Sequence, residues 1–251
     1  MDALSTELFV ALLAALFAAA TLYATSGHGG ATAYLALFGL WGLVPAEMKP
    51  VALVMNVVVA GTGALRLWRA QAMPGRTLGL LLVGSIPAAY VGGLITLPAT
   101  TYRGLLGACL LVAAVRLWLP IDREGARRAW PAGAFVVVGV VLGALSGLTG
   151  IGGGIFLSPL LVLARLEEPK RAAAASAVFI VVNSIAGLVA QGQSGGLAHL
   201  PTTLPVVLAV VFVGGLIGSF LAAHKLAPLA LKRALGVVLV VSGLKLLSEA
   251  L

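Results

Sequence analysis

Residues 147–154 read Gly-Leu-Thr-Gly-Ile-Gly-Gly-Gly, and residues 26–30 read Ser-Gly-His-Gly-Gly. Each cluster interrupts a long apolar stretch, and what surrounds them decides the fold. The 251-residue chain is 61% hydrophobic and only 10% charged, with a mean hydropathy of +1.11. A soluble domain carries about 25% charged residues. Runs free of Asp, Glu, Lys and Arg cover 8–46, 77–102, 129–164 and 172–224. A membrane-crossing helix takes roughly 20 apolar residues, so the longer runs must fold back on themselves. These features exclude a soluble cytosolic enzyme, a disordered chain and a collagen-like fibre. They predict an all-α polytopic membrane protein whose 32 glycines let helix backbones approach closely in lipid.

The two clusters mark a repeat. Gly27 aligned with Gly150 brings Ala60 onto Asn183 and Gly61 onto Ser184, and Arg103–Gly107 follows the pattern of Lys232–Gly236. The halves divide near Trp130, into a first transmembrane repeat over 1–129 and a second over 130–251. Each reads as five apolar segments: 5–25, 30–44, 50–68, 77–97 and 103–119, then 131–148, 153–165, 171–191, 201–223 and 230–248. The segment after each glycine cluster is short, and is either a full crossing or a half-helix of a re-entrant pair.

An odd number of segments inverts the second repeat. With the 66–76 loop placed in the cytoplasm, all but Lys49, Arg103 and Lys245 of the 16 basic residues fall inside, as the positive-inside rule favours. Both termini then lie outside the cytoplasm. Asp2 and Glu7 precede the first stretch in place of the basic region of a signal peptide. The net charge of +8 is thus a topology signal, and no nucleic-acid partner is implied. Inverted repeats with broken helices are typical of secondary transporters.

A glycine-rich turn leaves backbone N–H groups uncovered. If a helix starts there, its first N–H groups lack partners and its dipole adds positive charge. Gly27, Gly29, Gly30, Gly150, Gly152, Gly153 and Gly154 therefore read as an anion-binding pair of turns near the bilayer midplane; the alternative is helix packing by small residues alone. His28 lies inside the first turn and is the candidate for proton coupling. Asn56 and Asn183 are polar residues within spans, each bonding another helix or the substrate. Ser26, Ser146, Thr149 and Ser176 could present hydroxyls to an anion, and Ser184, next to Asn183, is a further substrate-binding candidate. Gly150-x-Gly152-x-x-Ile155 lacks the third glycine of a dinucleotide fingerprint, and no P-loop occurs.

The acids are Asp2, Glu7, Glu47, Asp122, Glu124, Glu167, Glu168 and Glu249, and none falls in the middle of a span. That disfavours a carboxylate proton relay, a carboxylate sodium site, and an intramembrane enzyme built on paired acids or HExxH zinc. Cys109 is the single cysteine. It makes no internal disulfide or cysteine metal site and reads as packing. No cofactor and no metal are expected.

Gly147–Pro159, then Pro169-Lys170-Arg171, then 172–187 with Ser176, Asn183 and Ser184 resemble the second half of the TauE/SafE family of sulfite exporters. The first half resembles that family's first repeat through 26–30, Asn56 and 87–92. The resemblance covers nearly the whole chain. It implies transport of a small sulfur oxyanion, sulfite or an organosulfonate, across the cytoplasmic (inner) membrane, with export as the expected direction. The lipid bilayer is the other partner, and a homo-oligomer is compatible with the sequence. The chain departs from an equal pair of turns: His28 stands where the second turn has Ile151, Ala31 where it has Gly154, and nothing matches Pro159. An anion channel and a non-transporting assembly or sensor subunit are the rival readings.

Overall fold

The computed structural model describes residues 1–2, 4–25, 28–69, 74–118, 128–223 and 229–251. Among the described residues ten α-helices follow one another: α1 Thr6–Thr25, α2 Ala31–Leu40, α3 Pro45–Arg69, α4 Gly75–Leu94, α5 Ala99–Trp118, α6 Ala132–Thr149, α7 Gly154–Leu163, α8 Pro169–Gln193, α9 Leu204–Ala223 and α10 Leu229–Ser248. A short 3-10 turn, Gly196–His199, links α8 to α9. No strand occurs among the described residues. Six helices are long and apolar enough to cross a membrane: α1, α3, α4, α6, α8 and α9. α5 and α10, with 20 residues each, have the length of a crossing, about 30 Å. The exposed surface is apolar, with Val83 66% and Val137 62% exposed, as a face toward lipid requires. The chain is thus a multi-pass membrane protein.

α2 and α7 are different. Each has 10 residues, about 15 Å, half a hydrocarbon core. Both start at a glycine in the left-handed region, Gly30 (φ 91) and Gly153 (φ 72). Both end alike. The N–H groups of Gly42 and Leu43 donate to the carbonyls of Gly39 and Phe38, and those of Arg165 and Leu166 to the carbonyls of Val162 and Leu161. This is the Schellman pattern, whose left-handed residue is Gly42 (φ 74) in one case and Arg165 (φ 57) in the other. The short segments are therefore half-length helices, too short to cross the hydrocarbon alone.

Contacts along the helices fix their directions. α1 runs parallel to α9: Asp2 meets Thr202 and Thr203 at one end, and Gly218 lies against the Thr21 carbonyl toward the other. α4 runs parallel to α6, where Gly139, Gly143 and Gly147 seat in turn on the backbones of Leu81, Ser85 and Ala89. Glycines four apart remove the side chains that would hold two helices apart. α3 and α8 are antiparallel, with Leu53 against Gly187, Asn56 against Ser184 and Leu67 packed with Ala174 and Ala177. α5 and α10 are antiparallel too, joined by Arg103 to Glu249 and by Gly107 on Gly243.

One end of the bundle, the terminal end, gathers Met1, Glu47, Arg103, Thr202 and Glu249. The other, the basic end, gathers Arg66, Thr77, Arg128, Arg165, Glu167 and Arg171. α3 starts five residues before the apolar segment read from the sequence and carries Glu47, Lys49 and Pro50 in its opening turns. Glu47 suits a helix N-terminus and is paired with the Met1 amino group at 2.8 Å. Counted along α3 and α8, Ala60 falls opposite Ser184, one residue on from the Asn183 of the sequence alignment.

Candidate functional site

The two glycine turns meet at Asn56. This side chain lies in α3, wholly buried, and Nδ2 donates to the carbonyls of Gly150 (3.4 Å) and Ile151 (3.3 Å) and to Ser184 Oγ (3.3 Å). On its other side a Cβ placed on Gly29 would lie 2.5 Å from Asn56 Oδ1 and 3.2 Å from Ala60 Cβ. A Cβ on Gly152 would lie 2.7 Å from Asn56 Nδ2 and 3.0 Å from Ile180. One amide thus separates the first turn from the second, and only glycine fits on either side.

The second turn is built from left-handed glycines, Gly150 (φ 85), Gly152 (φ 83) and Gly153 (φ 72). Irregular backbone at membrane depth must find partners within the protein or line a cavity. Its carbonyls do find them. Those of Gly150 and Ile151 accept from Asn56, and that of Thr149 accepts from the Tyr102 hydroxyl at 2.9 Å. Gly150 N–H donates to the Ser146 carbonyl at 2.8 Å, and Ile151 N–H to Thr149 Oγ1 at 3.3 Å. Beyond that point the donors run free. Among the described residues, the N–H groups of Gly152, Gly153, Gly154 and Ile155 donate no hydrogen bond, although all four residues are buried. The turn therefore has the carbonyls of Thr149, Gly150, Ile151 and Gly153 satisfied and a run of unsatisfied donors at the positive end of α7. An anion is the ligand that such a site accepts.

Other buried atoms around the turns have unused bonding capacity. Asn56 Oδ1, Ser146 Oγ, Ser176 Oγ and Asn183 Oδ1 have no partner. Asn183 Nδ2 bonds back to the Phe179 carbonyl of its own helix at 2.8 Å, and Thr149 Oγ1 likewise to Leu145 at 2.6 Å. Asn56, not Asn183, makes the bridge between turns. Gly154 packs on α8 at Ile180 and the Ser176 carbonyl. His28 is 6% exposed, with its N–H on the Tyr23 carbonyl at 3.0 Å. Ser26 and Gly27 lie outside the described residues, as does His224. Among the described residues no cluster of His, Cys, Asp and Glu could hold a metal.

The model of the sulfite exporter TauE/SafE family matches residues 11–246. The chain belongs to the TauE/SafE family. A probable membrane transporter protein of Sinorhizobium fredii is 34% identical over 243 residues, covering 95% of this chain and 98% of the relative. A probable membrane transporter protein of Methanocaldococcus jannaschii is 32% identical over 119 residues, 45% of this chain and 44% of the relative. The probable membrane transporter protein MamO of Magnetospirillum gryphiswaldense is 28% identical over 215 residues, 68% of this chain and 34% of the relative. No solved structure matches. TauE/SafE is a membrane transporter family.

Two residues of this TauE/SafE chain escape a reading of its sequence. Tyr34, fully buried in α2, brings its hydroxyl to the first turn: a Cβ on Gly30 would lie 2.6 Å from that oxygen, which has no partner. An aromatic residue in an apolar helix reads as core, and only its place one turn after Gly30 could have marked it. Tyr23 and Thr32, joined by their hydroxyls at 2.6 Å, add further polarity to the same turn. Lys49 is the second. It counts as a topology residue in the sequence, yet it is 6% exposed, and its backbone lies against Gly150, whose Cβ position is 3.1 Å from the Lys49 carbonyl.

Proposed function

We propose that this chain is a secondary transporter that moves a small sulfur oxyanion, sulfite or an organosulfonate, out across the cytoplasmic membrane. Repeats 1–129 and 130–251 alternate access to a central site between α2 and α7. The observation that carries the reading is the run of free N–H donors from Gly152 to Ile155, beside the Thr149, Gly150 and Ile151 carbonyls that are already taken. Oxyanions accept hydrogen bonds on every oxygen, so such donors replace their hydration without a fixed charge.

Asn56 Oδ1 adds an acceptor to which the O–H of a protonated oxyanion can donate. A sulfite-like anion titrates near neutrality, so the substrate itself can carry the proton; His28 is the protein group placed to exchange one. Gly29, Gly30 and Tyr34 bound the same region from the first half, while Ser176, Asn183 and Ser184 flank the second turn. Helices of equal place in the two halves, α3 with α8 and α5 with α10, run antiparallel, as inverted repeats require. The basic end faces the cytoplasm under the positive-inside rule.

The test is sulfite flux in proteoliposomes with and without an imposed pH gradient, in competition with sulfonates and carboxylates. Saturable flux that follows the gradient and is blocked by sulfonates is expected. Absence of flux for any sulfur oxyanion, or unsaturable conductance far faster than a conformational cycle, overturns the reading.

A further inference from the structure

A cavity of about 380 Å³ opens at the terminal end of the bundle, between the start of α3, the α4–α5 connection and the Gly196–His199 turn. Its polar lining includes Lys49, Thr96, Tyr102, Arg103, Gln191 and His199, with no acid among the lining residues. Ile95, Leu97 and Leu148 supply apolar walls. Lys49 is more than nine-tenths buried. Its Nζ donates to the carbonyls of Gly92 (3.3 Å), Gly93 (3.1 Å) and Ile95 (3.4 Å) at the end of α4, and it has no carboxylate partner.

Lys245 shows what a purely structural version looks like. Its Nζ donates to the carbonyls of Gly39 (2.9 Å) and Leu40 (3.1 Å) at the end of α2. Glu249 stands 3.8 Å away and balances its charge. Both lysines complement a helix C-terminus, but Lys49 stands on the wall of a cavity with no carboxylate beside it. Arg103 on the same wall meets Glu249 through Nε alone, at 3.4 Å, and its terminal guanidinium nitrogens stay available to an anion.

We propose that this cavity is a second anion site, distinct from the glycine turns. It takes a small organic anion whose oxyanion head meets Lys49 and Arg103 and whose short apolar tail lies on Ile95, Leu97 and Leu148. The site adjoins the second turn through Lys49 and Gly150, so an anion held there stands at the doorstep of the central site. The inference does not depend on transport.

Butanesulfonate serves as the probe, with butylammonium as a control of equal tail and opposite charge. Each is titrated calorimetrically into the purified full chain in nanodiscs, with empty nanodiscs as baseline. Saturable binding of butanesulfonate and none of butylammonium is expected. Lys49→Gln weakens binding tenfold or more, Lys49→Arg holds it within threefold, Arg103→Gln costs about threefold, and Lys245→Gln changes nothing. Lys49→Arg and Arg103→Gln keep the test sound if Lys49→Gln disturbs the α4 end. Wild-type affinity in a folded Lys49→Gln protein, equal binding of butylammonium, or no butanesulfonate binding to wild type overturns the proposal. A wild type that binds butanesulfonate but moves no sulfite sinks the transport reading and leaves this site standing.

Discussion

The first and second glycine turns occupy matching places and begin half-helices of equal length, yet they are held differently. Asn56 pins the second turn by two carbonyls and touches the first only through its free oxygen. The second turn carries Ile151 where the first carries His28, both buried. Polar side chains crowd the first turn, with Tyr34 against Gly30 and Tyr23 bonded to Thr32, whereas the second exposes backbone donors. On the proposed reading the pair divides its labour: one turn is a fixed cradle of N–H groups, and the other brings titratable and hydroxyl chemistry to it.

The sharpest way to break this contrast is Gly152→Ala set against Gly29→Ala. Gly152 has φ 83 and its Cβ meets Asn56 Nδ2 at 2.7 Å; an L-residue there costs about 1–2 kcal/mol before any clash. Gly29 is not left-handed, and its Cβ meets a side-chain oxygen. Sulfite flux is expected to fall at least a hundredfold for Gly152→Ala and about tenfold for Gly29→Ala, with both proteins folded by gel filtration. Equal effects would make the turns equivalent.

Asn56→Leu comes next. It strands the Gly150 and Ile151 carbonyls, at about 1–3 kcal/mol for each buried group left unpaired. A lower thermal midpoint together with lost flux is expected, and an unchanged midpoint would deny the pinning. His28→Gln sharpens the contrast from the other side: flux persists at a tenth or more of wild type but no longer responds to an imposed pH gradient. A retained response would move proton coupling to the substrate.

Smaller effects lie at the ends of the half-helices. Arg165 holds the left-handed position that Gly42 fills in the first half, so Arg165→Gly should stabilise the protein by up to about 1 kcal/mol. Thermal unfolding in detergent measures this. The smallest effect is at Asp2, whose carboxyl the Thr202 N–H, with help from Thr203, holds down at about 2. A lowered carboxyl stabilises the fold above its ordinary value of 3.8 and loses that contribution as pH falls through about 2. Asp2→Asn should therefore lower the thermal midpoint slightly and equally from pH 5 to 8, with the difference from wild type closing toward pH 2.

Most of the scaffold was legible because lipid imposes a coarse code. Apolar runs gave all ten helices in order, and the glycine clusters gave the breaks. The sequence left open whether the short segments cross; their ten-residue length and the Gly42 and Arg165 caps answer that. α3 was cut short because charge was read as an end of span, whereas Glu47 and Lys49 are accommodated by a chain terminus and by the end of α4. Within the site, polarity singled out both Asn56 and Asn183, and the family match of Asn183-Ser184 favoured Asn183. Only packing decides which of them bridges two turns and which bonds its own helix. Tyr34 and Lys49 were invisible for the same reason, since each acquires its meaning from a neighbour distant in the chain.

The spans hold no acid at mid-depth, and this has an electrical consequence. On the proposed reading, a monoanion that crosses without its proton therefore carries current. Every 100 mV of inside-negative potential drives such an ion outward by about 2.3 kcal/mol, whereas a proton taken along cancels the charge and with it the pull of the potential.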